Sequence, residues 1–157
     1  MTKDKDCLES TLDFLKESML NLISYRLRSK EELKQRYLNK GYNLSDIEYA
    51  IDYLESKGYI DDEEFSRMYA THLIKFKSLG KKLVLHKFKI HRIEMEILMP
   101  IIESVYLKNP PNNLIKAIIK RKFRNSKNKK NSKAEIYNYL KRKGFTWEDI
   151  SCELNNF

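Results

Sequence analysis

Apolar residues recur every third or fourth position along nearly the whole chain. Leu8, Leu12, Leu15, Met19, Leu22 and Ile23 trace one such stripe, the spacing an amphipathic helix requires. Punctuation follows the stripes. Ser29-Lys-Glu-Glu32 reads as a capping box, and Gly41 as the stop of the helix it opens. Ser45-Asp-Ile-Glu48 with Gly58, and Ser132-Lys-Ala-Glu135 with Gly144, repeat that grammar. The acidic run after Ile60 fits it too. Asp61 or Asp62 predicts an N-cap, and Glu63 and Glu64 fall in the first turn, where each carboxylate contributes about 0.3–1 kcal/mol against the positive helix end. A calcium loop would need spaced carboxylates around a central glycine, which this run lacks.

The stripes repeat. At an offset of 103, Leu33 pairs with Ile136, Tyr37 with Leu140, Lys40-Gly41 with Lys143-Gly144, Ile47 with Ile150 and Ile51 with Leu154. Halfway, at an offset of 51, Val84, Phe88, Ile93, Leu98, Ile102 and Val105 occupy the matching apolar positions. His91-Arg92 replaces Lys-Gly in this middle copy, and Pro100 threatens a kink unless it lies in a first helical turn. A further helix is expected before each copy, around 20–27, 65–76 and 114–123. The pattern therefore predicts an all-α protein of three tandem three-helix repeats: 1–58 with a long N-terminal helix, 59–108, and a strongly basic 109–157. A unit this small buries little apolar surface alone, so neighbouring repeats are expected to pack end to end.

Composition agrees with helices: 4 Gly and 3 Pro in 157 residues leave few turns for a sheet. No apolar run approaches the length of a membrane span, and the start lacks the order of a signal peptide. A cytoplasmic protein without a membrane partner is expected, with Cys7 and Cys152 as reduced thiols. Charge changes the picture more. The net +9 is divided as −1 over 1–60, +2 over 61–108 and +8 over 109–157, with no acid between Glu103 and Glu135. Such polarity suggests a polyanion or an acidic protein surface as partner.

Two acid-free stretches are the candidate contact surfaces. The first holds Lys75, Lys77, Lys81, Lys82, Lys87, Lys89 and Arg92. The second holds Lys116, Lys120, Arg121, Lys122, Arg124, Lys127, Lys129, Lys130 and Lys133. Lys116, Lys120 and Arg124 share a helix face by spacing and could neutralise DNA phosphates. Tyr137, Tyr139 and Trp147 could stack on unpaired bases; helical spacing favours packing, and Trp147, aligned with Leu44, is expected in the core. His72, His86 and His91 lack ligand spacing, and no nucleotide-binding or catalytic motif is visible. No metal, cofactor or enzymatic activity is expected.

Leu54, Gly58-Tyr59-Ile60-Asp61-Asp62, Phe65, Tyr69 and Ala70, with Ser29, Glu32-Leu33, Tyr37, Lys40-Gly41, Gly80, Val84 and Phe88, resemble the RecX family of RecA recombinase regulators. The resemblance covers about residues 18–157, with departures at His91-Arg92 and at the basic loop 125–131. It implies an elongated, curved array of three-helix repeats with no active site. It also implies a monomeric protein in the groove of the RecA–DNA filament, in contact with single-stranded or duplex DNA, that inhibits ATP hydrolysis and strand exchange and alters filament assembly. The setting would be recombination, repair and the SOS response. The competing reading is a stand-alone DNA-binding protein of helix-turn-helix type, and a third is a structural adaptor. A sequence reader would offer Arg, Asn or Gln on one recognition helix and a dimer seam; here the basic residues are mostly Lys, spread over two units.

Overall fold

The computed structural model describes residues 3–124 and 133–155, with side chains at 11–123 and 133–155. Among them are nine α-helices and no strand: α1 (Lys3–Tyr25), α2 (Lys30–Leu38), α3 (Leu44–Ser56), α4 (Asp62–Thr71), α5 (Lys81–Phe88), α6 (Met95–Lys108), α7 (Pro111–Ile119), α8 (Lys133–Arg142) and α9 (Trp147–Leu154). In threes they give three helix triplets in sequence. Two of the leading helices do not stop cleanly: α4 widens into a π turn at His72–Phe76, and α7 into another at Lys120–Arg124.

The expected register holds except at Ile93, which is half-buried. Leu33, Tyr37, Ile47 and Ile51 are buried, as are Val84, Phe88, Leu98 and Ile102, and Ile136, Leu140, Ile150 and Leu154. Complete burial of one such side chain stabilises by about 1.5–3 kcal/mol. Tyr37 differs from its counterparts Phe88 and Leu140 in carrying a hydroxyl, and Ser18 satisfies it at 2.7 Å.

By contact density the chain forms two compact units. One is Met1–Phe65 with Ile90–Arg92; the other is Ser66–Lys89 with Ile93–Phe157. The first is centred on Leu15, Met19, Leu33, Tyr37, Ile47, Ala50, Ile51, Leu54 and Ile60, where α1 and α2 close on α3. The second contains a core of Ile115, Ile118, Ile119, Ile136, Leu140, Phe145, Ile150 and Leu154, where α7 and α8 close on α9.

The caps divide into those read correctly and those not. Ser29 Oγ accepts from the Glu32 amide at 3.2 Å, but the Glu32 carboxylate pairs with Arg26 and Arg28 rather than reaching back. Asp61 caps α4, accepting from the Glu63 and Glu64 amides at 2.8 and 3.0 Å. Ser45 caps nothing: α3 begins one residue earlier, at Leu44, with Asn43 as N-cap. Residue 132 of the third expected box lies outside the described residues. An unforeseen capping box opens α9, where Thr146 and Asp149 exchange bonds of 3.1 and 3.2 Å. Pro100 is the sixth residue of α6, beyond its first turn, yet the helix continues to Lys108; the proline forgoes one backbone bond. Trp147 is a correction. It is 61% exposed, because it begins α9 as Leu44, also exposed, begins α3, and Phe145 takes the inward place beside it. Its ring meets Tyr137 edge-on at 5.4 Å.

Candidate functional site

In the second unit the two basic stretches approach each other through a residue that belongs to neither. Lys143 lies in the turn after α8, and its Nζ donates to the carbonyl of Lys77 at 2.9 Å. The same ammonium stands 6.0 Å from the centre of the Tyr139 ring, over which Lys122 places its own Nζ at 3.7 Å. Phe123 meets Tyr139 edge-on at 5.7 Å and fixes the ring's orientation. An open cleft of about 680 Å³ lies here, lined by Lys122, Phe123, Glu135, Asn138, Tyr139, Lys141 and Arg142. Two ammonium groups, those of Lys122 and Lys143, therefore stand over or near one aromatic ring, and Lys141 and Arg142 join Lys122 in lining the cleft beside it.

The other candidates fall around this centre or away from it. Lys75 lies in the first π turn and rests 5.5 Å from the exposed Phe76 ring. Lys82, Lys87 and Lys89 are exposed. Lys81 pairs with Glu103 at 3.6 Å, and Lys116 with the buried Glu153 at 3.6 Å, so part of their charge is already answered inside the unit. Lys120 and Arg121 are exposed in the second π turn. Lys133 is exposed at the start of α8, and its Nζ donates to the carbonyl of Leu154. The side chain of Arg124, and the whole of Lys127, Lys129 and Lys130, lie outside the described residues.

Arg92 is the candidate that departs most. It belongs to the first unit, where its Nε meets Glu31 Oε1 at 3.3 Å. Its φ of 50° is left-handed, as at Gly41, whose place in the repeat it takes. A non-glycine residue adopts this at a cost, so the surroundings must hold it. They do so through His91, which is buried, bonded through Nδ1 to Ser29 Oγ at 2.8 Å and packed on Phe65 at 4.8 Å. Burial pushes the His91 imidazole below its ordinary value, while the Glu32 and Asp62 carboxylates pull the other way. The same burial raises Asp62, which accepts from the Lys30 amide at 2.9 Å.

Sequence reasoning named Tyr139 as able to stack on a base but did not single out Lys141, Arg142 or Lys143 as contacts beside it. Lys143 was visible only as the Lys of a Lys-Gly turn, and nothing local indicates that its ammonium reaches a carbonyl 66 residues away. The one available signal was Lys-Arg-Lys closing a helix whose exposed face carries Tyr139.

Comparison with known proteins bears on the fold. Residues 16–54, which hold most of the core of the first unit, match the family model described as RecX, first three-helix domain. The regulatory protein RecX of Bacillus licheniformis is 28% identical over 138 residues, 86% of this chain and 52% of that protein. That of Vibrio vulnificus is 24% identical over 144 residues, 90% of this chain and 91% of the relative. A crystal structure of regulatory protein RecX superposes with a TM-score of 0.82 at 15% identity, over 100% of this chain and 80% of that one. These likenesses support the RecX family for this chain. RecX from Lactobacillus salivarius shares the fold as well, at a TM-score of 0.74 and 18% identity, over 95% of this chain and 99% of the other. The chain spans about half the length of the Bacillus RecX, and 65% of that from Clostridium tetani.

Proposed function

We propose that the protein regulates the RecA recombinase as an inhibitor. It lies in the groove of the RecA–DNA filament with the basic surface of its second unit toward DNA phosphates or filament carboxylates. Bound there as a monomer in the cytoplasm, it slows ATP hydrolysis and strand exchange and alters filament assembly, with no catalysis of its own. The observation that carries this reading is that exposed cations of both acid-free stretches lie on the second unit, where Lys143 donates to the carbonyl of Lys77 and stands near the Tyr139 ring that Lys122 covers. Exposed lysines and arginines of this density release condensed counterions from DNA, which makes such contact strong and steeply salt-dependent.

The test is RecA ATPase activity on single-stranded DNA, with the full chain added at increasing amounts. Inhibition below one protein per RecA supports the reading. An unaltered rate, together with tight and sequence-selective duplex binding in the absence of RecA, transfers it to a stand-alone DNA-binding protein. Reversing the charge at Lys120, Arg121 and Arg124 together is expected to weaken filament binding about tenfold or more near 0.15 M salt; unchanged affinity removes the second π turn from the interface.

A further inference from the structure

The cleft beside Tyr139 contains more than a phosphate contact needs. Glu135, Asn138, Tyr139 and Arg142 follow the i, i+3, i+4, i+7 spacing of one face of α8, so a single helix supplies most of one wall. The second π turn supplies the other, with Lys122 over the ring and Phe123 at its edge. Lys141 and Arg142 have an ordinary use, since cations at a helix C-terminus offset its dipole. That use does not account for Lys122 or for an aromatic ring left facing an open cleft.

We propose that this cleft is a subsite for one unpaired nucleotide of single-stranded DNA, the base lying on the Tyr139 ring and the adjoining phosphates held by Lys122, Lys141 and Arg142. The inference rests on the DNA contact in the proposed function and names the form of DNA and the place. Lys122 occupies the ring face when the site is empty, at the distance of a cation–π contact. A lysine tip at an exposed site is held weakly, so an incoming base displaces it and the freed ammonium turns to the phosphate. Stacking needs a base with an open face, which an intact duplex does not offer, and it tolerates any sequence. Glu135 and Asn138 then meet the polar edge of the base, where a carboxylate can accept from an exocyclic amine. An acidic protein segment would use the cations but not the ring.

The experiment uses the full chain, a fluorescein-labelled oligothymidine, and an abasic oligomer of equal length and charge. Wild type is expected to bind the oligothymidine about tenfold more tightly than the abasic strand. Tyr139→Leu should erase that preference, and Tyr139→Phe should keep it. Equal binding of both strands by the wild type overturns the proposal without recourse to any variant, as does a preference that survives in a folded Tyr139→Leu protein. The two readings fail separately: a base preference in a protein that leaves RecA ATPase untouched preserves the subsite and removes the RecA role.

Discussion

Each unit contains a joint where the start of a helix meets a turn, and the two joints are built from different materials. In the first unit the start of α2 presents Ser29, Lys30 and Glu31 to His91, Asp62 and Arg92, and a side chain takes part in every one of these contacts, the Lys30 amide donating to the Asp62 carboxylate. In the second unit the start of α5 presents Gly80, at the repeat position of Ser29, to Lys143 and Gly144. Here main chain meets main chain. The Gly80 amide donates to the carbonyl of Lys143 at 2.8 Å, and the Lys82 amide to that of Gly144 at 3.1 Å. Both joints satisfy amides at a helix start that would otherwise lack partners. One does so through a serine and an aspartate. The other uses carbonyls from the end of another helix, so a positive helix end faces a negative one. A side-chain joint leaves room and titrates; a backbone joint has neither property.

The largest effect should come from filling the backbone joint. Gly41 and Gly144 share a φ of 87°, so alanine is strained at either site. A Cβ at Gly41 meets nothing within 4 Å, whereas at Gly144 it would lie 2.4 Å from the Leu83 Cβ and 2.5 Å from its backbone nitrogen. Gly41→Ala is therefore expected to cost about 1 kcal/mol from backbone conformation alone. Gly144→Ala should cost about 3 kcal/mol, as overpacking adds to that strain. Urea denaturation of the two variants reads the difference directly. Equal costs would mean that the close approach of Gly144 to α5 is absent in solution.

How far the sequence reached follows from the same contrast. Apolar phase is a property of the helix itself, so Leu33, Val84 and Ile136 could be aligned and their burial anticipated. The stop at Gly144 was equally legible, because a left-handed turn selects glycine locally. That the same glycine must also admit Leu83 was not, because the second constraint arrives from residues far away in the chain. Trp147 failed for a related reason: register placed it correctly on Leu44, but register carries no information on whether a helix's first residue faces in or out. Asn43 and Ser45 are both able to cap, and local sequence does not choose between them. The cleft at Tyr139 was hidden because its cations come from two separate segments, the second π turn and the end of α8, and the neighbouring Lys143 had already been read as part of a turn.

A smaller effect is expected from the side-chain joint. Ser29→Ala removes the cap of α2 and leaves His91 Nδ1 buried opposite a methyl group. Loss of a cap costs about 1 kcal/mol, and a buried polar atom without its partner costs a comparable amount. The sum of about 2 kcal/mol lies between the two glycine variants. Ser29→Thr, which keeps the hydroxyl, should recover most of it. If alanine and threonine are equally harmful, the site is limited by space and the joint resembles its backbone counterpart.

The smallest effect, and the one that most sharply separates the two joints, is their response to pH. The first joint contains a buried imidazole; the second is made of amides and carbonyls that do not titrate. In the folded protein His91 lies below its ordinary 6.5 because burial disfavours the imidazolium, while Glu32 and Asp62 oppose that shift and Arg26 adds to it. As pH falls through 6.5 the unfolded chain takes up this proton first. The stability that His91 contributes is therefore complete above 6.5 and is lost as pH drops toward its folded value. Asp62 acts with the opposite sign: burial raises its carboxyl above 3.8, so it favours the folded state more as pH falls, in a window nearer 3.8. Urea midpoints between pH 7.5 and 5.5 separate the two, and the comparison of wild type with His91→Gln isolates the imidazole. The wild-type midpoint should decline across that interval more steeply than that of the variant. Parallel declines would mean that His91 is solvated in the folded protein, and the first joint would then lose the property that distinguishes it from the second.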